Sequence, residues 1–308
     1  MKKTFIAIMT IAALAACNKA EVIETAKGDA IAFGEAFVDN ATKATATDPT
    51  YSGEADLTSF DVYGTVTGTA GTAGTVNIFD GVEVTGTVGT TTWSYGTQYA
   101  QYWIPGADYA FAAVVDANGV TQNDLKMPTS LTYNTADQKD LLYATANVND
   151  ATADQGVVNF TFSHLLSKAQ FTVTSNTAGG YYHSVTGIKV SNFETGTYTI
   201  SDGSWAGTTA KDIEFGEVAK VTAASDAKTN TTQMLLVPNA ATFKVTFTVD
   251  LYKNDTKLGT ETKSIDVEND LVKGNAYNFT IACSVGNPIQ FSVTNDPTWG
   301  ATQDVTVQ

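Results

Sequence analysis

Arginine is absent from this chain; all 17 basic residues are lysine, against 32 acidic ones, and the formal net charge over 308 residues is −15. Without a guanidinium there is no bidentate grip on phosphate or carboxylate. So acidic a chain also repels polyanions, which excludes nucleic acid as a partner. Histidine is nearly absent too. His164 and His183 have neither cysteine nor carboxylate at zinc spacing around them, so no metal site is expected. Trp93-Ser94-Tyr95-Gly96 lacks the first glycine of a nucleophile elbow. No P-loop or dinucleotide fingerprint occurs, and the βαβ pattern that either needs is missing. The acids Asp266, Glu268 and Asp270 would share a strand face with Thr262 and Ser264. That is a solvated edge, lacking the apolar pocket that raises one acid of a catalytic carboxylate pair. The chain is expected to be no enzyme and to hold no cofactor.

Charged residues make up only 16% and hydrophobic ones 43%, so this is a folding chain and not a disordered acidic tail. The one long apolar run lies at the start. Met1-Lys2-Lys3 is a positive n-region and Thr4 to Ala16 an apolar h-region, ending in Leu14-Ala15-Ala16-Cys17. Residues 1–16 therefore read as a lipoprotein signal peptide, with Cys17 acylated after cleavage. Several acyl chains anchor stably where one does not. Asn18 after the cysteine favours the outer membrane. Cysteine is as scarce as histidine, with two in all. Lipidation of Cys17 leaves Cys283 without a disulfide partner. Its place in the alternation Tyr277, Phe279, Ile281, Cys283, Val285 puts it on the buried face of a strand.

What the chain does have is period-two alternation. Phe243, Val245, Phe247, Val249 and Leu251 interleave with polar residues, Lys253-Asn254-Asp255-Thr256 offers a turn, and Leu258 to Val267 returns. Phe60 to Val66, Tyr109 to Val115, Gly187 to Phe193 and Ile289 to Val293 read as further strands. No segment carries a helical stripe. Many short strands with regular turns predict antiparallel β-sandwiches. Between Gly64 and Thr92 the composition is rich in Gly, Thr and Val, which predicts loosely specified strands and loops. Polar stretches at 39–53 and 147–156 suggest boundaries. The expected organisation is an N-terminal strand and cleavable loop over 17–53, belonging to a first sandwich over 54–155, and a second sandwich over 156–308.

Several segments in order resemble the fimbrillin family, the lipoprotein-derived subunits of type V pili in Gram-negative anaerobes of gut and mouth. After the Cys17 lipobox come Phe60-Asp-Val-Tyr-Gly, Gln101-Tyr102-Trp103 with Tyr109-Ala-Phe-Ala-Ala, and Asp140-Leu-Leu-Tyr-Ala. Phe160-Thr-Phe-Ser-His164-Leu-Leu-Ser-Lys-Ala, Met234-Leu-Leu-Val-Pro238-Asn, Gly274-Asn-Ala-Tyr277 and the terminal Ile289-Gln-Phe-Ser-Val with Trp299 follow. The resemblance implies two transthyretin-like, Greek-key domains and a surface fimbrium that supports adhesion. It also implies polymerisation by strand exchange with other fimbrial subunits, after a processing protease removes the first strand.

The parts match. Ile31, Phe33 and Phe37 give an apolar face to an isolated strand, and Lys43 in the loop behind it stands where the family usually carries arginine. Ile289, Phe291, Val293, Trp299, Val305 and Val307 form an alternating tail, 289–308, suited to strand donation. An anchored lipoprotein that holds glycan on Trp93, Tyr95, Tyr99, Tyr102 and Trp103 is the alternative, though core packing is the better account of those rings.

Overall fold

Alternating strands leave only one way to bury their apolar faces, which is sheet against sheet. The computed structural model of the protein describes residues 29–38, 57–68, 74–86, 93–177, 179–222, 229–239, 241–296 and 303–305. Within these residues the chain is all β apart from one 3-10 turn, Thr97–Tyr99. The first strands are β1 (Phe33–Val38), β2 (Ser59–Thr67), β3 (Thr75–Thr85), β4 (Asp108–Val115), β5 (Gly119–Gln122), β6 (Pro128–Asn134) and β7 (Leu142–Val148). Then come β8 (Val158–His164), β9 (Ser167–Asn176), β10 (Tyr181–Thr199), β11 (Ser204–Glu214), β12 (Val218–Val221) and β13 (Thr229–Asn230). The last are β14 (Met234–Leu236), β15 (Phe243–Lys253), β16 (Thr256–Val267), β17 (Ala276–Ser284), β18 (Gln290–Asp296) and β19 (Gln303–Val305).

Three sheets result. One has the order β1-β8-β7-β4-β2-β3; a second runs β16-β15-β10-β6-β5, with β11 and β12 also on β10; the third runs β13-β9-β17-β18-β19, with β14 on β9. Pairing is antiparallel except between β1 and β8 and between β9 and β17, which run parallel. The β15–β16 hairpin closes through Asn254 and Asp255, both at positive φ, the mirror-image turn that matches strand twist.

The second and third sheets face each other across one core. Val185, Val245 and Phe247 come from one side, Phe171, Phe279 and Ile281 from the other. The first sheet has its own core, which includes Phe33, Phe60, Phe79, Phe111, Phe160 and Phe162. A third cluster joins the two: Tyr63, Ala112 and Val114 of the first sheet meet Leu131, Tyr133, Leu165, Leu166 and Tyr198. Here His164 Nδ1 lies 2.7 Å from Asp140 Oδ2, with both side chains almost wholly buried.

Two sequence expectations need correction. Val158–His164, assigned to the second unit by the boundary at 156, pairs in the first sheet with β7 and β1, while β5 and β6, assigned to the first unit over 54–155, pair in the second sheet with β10. The polar stretch at 147–156 is only the turn between two neighbouring strands. The Gly/Thr/Val-rich stretch contains an eleven-residue strand, β3, registered along β2 from Ser59↔Thr85 to Thr67↔Thr75. Its alternation is broken by bulges, at Val62/Gly64 and Gly64/Thr65, which scramble a period-two pattern without dissolving the strand.

Candidate functional site

The N-terminal strand is where the molecule departs from a closed sandwich. β1 ends the first sheet's order, parallel to β8, with Phe33 opposite Val158, Ala36 opposite Phe160 and Val38 opposite Phe162. Beyond it, pairing among the described residues is limited to two isolated bridges, Ala30↔Tyr102 and Phe33↔Trp93. The residues just before it are tied more firmly. Ile31 N–H donates to Gln101 O (2.8 Å), Trp103 N–H to Asp29 O (3.1 Å) and Val158 N–H to Ala32 O (2.8 Å). The Tyr95 hydroxyl donates to Ile31 O at 2.6 Å.

Phe33 is the hub of the first core. Only 1% of its surface is exposed. Its ring centroid lies 6.4 Å from Phe60, 5.6 Å from Phe79, 5.7 Å from Tyr95, 6.1 Å from Phe111 and 5.9 Å from Phe160. Ile31 is buried beside it, as the alternation predicts. The register then shifts between Phe33 and Ala36. Parity changes, and the further buried residues are Ala36 and Val38, which simple alternation missed. Gly34 was the available signal, because a glycine inside a strand marks a bulge or a close approach. A Cβ at Gly34 would collide with Asn159 Oδ1 and Val157. Phe37 pairs through its backbone with Thr161; its side chain lies outside the described residues, as do Cys17, Lys43 and the signal segment 1–16.

The C-terminal tail divides in two. Ile289 and Phe291 pack on the second core and Val293 is buried in it. Phe291 stacks 6.1 Å from Phe279 and 6.2 Å from Phe247. β18 pairs with β17 over its whole length, so these three residues complete their own sandwich. Beyond Asp296, the short β19 pairs Val305 with Val293 and Gln303 with Asn295. Trp299 and Val307 lie outside the described residues. The donor candidate therefore contracts to the residues after Asp296.

The remaining sequence candidates resolve into structure. Trp93 and Trp103 are core residues and Tyr95 holds Ile31; of the five rings offered as a glycan platform, only Tyr99 is largely exposed. They wrap β1. Of the three acids, only Asp266 lies on β16, where Lys244 pairs with it at 2.6 Å. Glu268 and Asp270 follow the end of the strand at Val267, so no shared carboxylate face forms. Cys283 is buried, and burial pushes its thiol up to about 11, the behaviour of a packing residue and not of a nucleophile. His183, with Nδ1 2.8 Å from Ser175 Oγ, is held below its ordinary value by burial.

Comparison with known proteins bears on the same architecture. A family model for fimbrillin-like proteins matches residues 42–297. A fimbrial protein from Bacteroides vulgatus has a similar structure, with a TM-score of 0.58 at 14% identity over 88% of this chain and 99% of the other. A candidate cell adhesion protein from Bacteroides uniformis gives 0.51 at 16% identity, over 88% and 98% of the two chains. Another from Bacteroides ovatus gives 0.51 at 16%, over 91% and 99%. No curated protein matches the chain. At these identities the likeness shows a shared fold, and the family match spans most of the sequence. This chain belongs to the fimbrillin-like family.

Proposed function

We propose that this protein is a structural subunit of a surface fimbrium, exported as an outer-membrane lipoprotein through Cys17 and polymerised by proteolysis-triggered strand exchange in support of adhesion. The observation that carries this reading is the construction of β1. It is a terminal strand that places one large aromatic plug, Phe33, at the centre of the first core. Cutting the chain behind it, at Lys43, would leave it held without a covalent link to the body.

Its departure would bare the backbone groups of β8 beside a pocket lined by Phe60, Phe79, Tyr95, Phe111 and Phe160. An unpaired edge next to apolar pockets is a template for another strand. The tail after Asp296 is the donor on this reading, carrying Trp299, Val305 and Val307. Refilling such a pocket is worth roughly 1.5–3 kcal/mol per large side chain before ordering costs. A head-to-tail contact of this kind does not close on itself, so it makes a filament.

Deleting Thr298–Gln308 tests the proposal. Ile289, Phe291 and Val293 remain to complete the second core, so the deleted chain should stay a folded monomer that has lost only the short edge pairing of β19 on β18. After removal of the N-terminal segment it should not add to a neighbour. Filaments growing at the wild-type rate from the deleted chain would remove the donor role.

A further inference from the structure

The N-terminal strand is gripped along both edges. On one side Val158 N–H of β8 donates to Ala32 O at 2.8 Å. On the other lies the segment 93–103, which meets the strand at Phe33↔Trp93 and Ala30↔Tyr102, both antiparallel. Those bridges are three positions apart on the strand and nine apart on the segment. The segment therefore arches outward between them, with the Thr97–Tyr99 turn at its crest. The strand sits in a slot and not on an open sheet edge.

Both feet of the arch are fixed to the body. Ser94 exchanges two backbone hydrogen bonds with Thr85 of β3, each 2.8 Å, and Trp93 is buried with its ring 5.0 Å from Phe60. At the other foot Trp103 is wholly buried, 4.7 Å from the Tyr109 ring, and the Tyr109 hydroxyl accepts Ile104 N–H at 2.8 Å. The span between the feet is built differently, for no residue from 94 to 102 is buried. Its ties run to the N-terminal strand. Gln101 O accepts Ile31 N–H at 2.8 Å. The Tyr95 hydroxyl donates to Ile31 O at 2.6 Å and accepts the backbone N–H of Gln101, so one oxygen ties both sides of the arch to the strand. A segment with so little buried surface, pinned at its ends, belongs to the part of a fold that opens locally.

We propose that residues 95–101 form a strap that swings open on its two feet while the strand is still paired with β8. Tyr95 is its latch, and the opening is the step that gates release and replacement of the strand. The hydrogen-bonding groups of the strap meet only backbone atoms of Ile31. On closing again it can grip any extended strand, and it leaves selectivity to the pocket around Phe33. The gating consequence rests on the strand-exchange reading; the opening itself does not.

Amide hydrogen exchange of the uncut chain, read residue by residue by NMR, tests the opening without any variant. Ile31 and Gln101 should exchange together, about tenfold or more faster than two reference amides. One is Val158, whose bond lies on the β8 side; the other is Trp103, whose N–H reaches Asp29 O at a fixed foot. Tyr95→Phe keeps the ring and loses the hydroxyl. It should speed exchange of Ile31 and Gln101 about fivefold, the worth of one hydrogen bond, and leave Val158 unchanged. Once the chain is cut behind the strand, the same variant should release the N-terminal segment faster by a similar factor. Equal exchange at Ile31, Gln101, Val158 and Trp103 would mean that the strand leaves in one piece, and would overturn the strap. Release of the Tyr95→Phe segment at the wild-type rate would overturn its gating role. A strap that opens as described, in a cut chain that never takes up a second strand, would keep the strap and overturn strand exchange.

Discussion

Phe33→Ala is the perturbation that most directly probes what β1 does. Phe33 is 1% exposed and touches five aromatic rings at centroid distances of 5.6–6.4 Å. Its partners come from β2, β3, β4, β8 and the 93–103 segment, so no single neighbour can move in to fill the space. Truncating a buried phenylalanine costs about 3–5 kcal/mol, which is roughly two to four decades in an equilibrium constant. In the uncut chain the variant should lower the urea midpoint of the first core accordingly, with an unchanged slope.

The comparison that matters is with Phe111→Ala, also 1% exposed but placed on β4, which stays with the body. Once the N-terminal segment has been cut and released, Phe33 is gone, and the Phe33→Ala body must equal the wild-type body. Phe111→Ala must remain destabilised. Before release, the cut Phe33→Ala segment should dissociate faster than the wild-type segment by about the same two to four decades, because the plug contributes to holding the strand. Equilibrium urea unfolding followed by tryptophan fluorescence reads the first effect; release of a labelled segment reads the second. A cost below about 1 kcal/mol in the uncut chain would show that Phe33 is no hub. A cost that persists after release would show that the segment never leaves.

Other consequences are simpler to check. Cys17→Ser should abolish acyl labelling and move the precursor from membrane to soluble fractions; unchanged partition would end the lipoprotein assignment. His183 is held neutral by burial, its folded-state value lying below its unfolded one. Its contribution to stability is therefore present above about pH 6.5 and is lost as pH falls through the lowered folded value. Melting temperatures of wild type and His183→Gln should accordingly converge on acidification from pH 7.5 to pH 5. Parallel curves would assign the acid sensitivity elsewhere.

Much of this molecule is local physics and was legible in the sequence. Period-two alternation fixes strands wherever one face is buried and the other wet, so β2, β4, β15 and β18 lie where the hydrophobic positions place them. Asn254-Asp255 specifies its own hairpin, because both residues tolerate positive φ. The buried place of Cys283 follows from parity alone.

What the sequence left open depends on which strand lies beside which, and that is settled by contacts between residues far apart in the chain. Alternation has no direction, so it could not reveal that β1 runs parallel to β8 or β9 to β17. A bulge shifts parity by one and moves every later side chain to the other face; hence Ala36 and Val38 enter the core. The polar run at 147–156 looked like a domain boundary because turns and linkers share a composition; pairing of β8 with β7 made it a turn. The tail read as one alternating strand, yet Phe291 stacks on Phe247 and Phe279 only because β15 and β17 are folded against each other. Five rings gathered around Phe33 are likewise products of sheet order, since tertiary packing alone brings residues separated by tens of positions within a few ångströms.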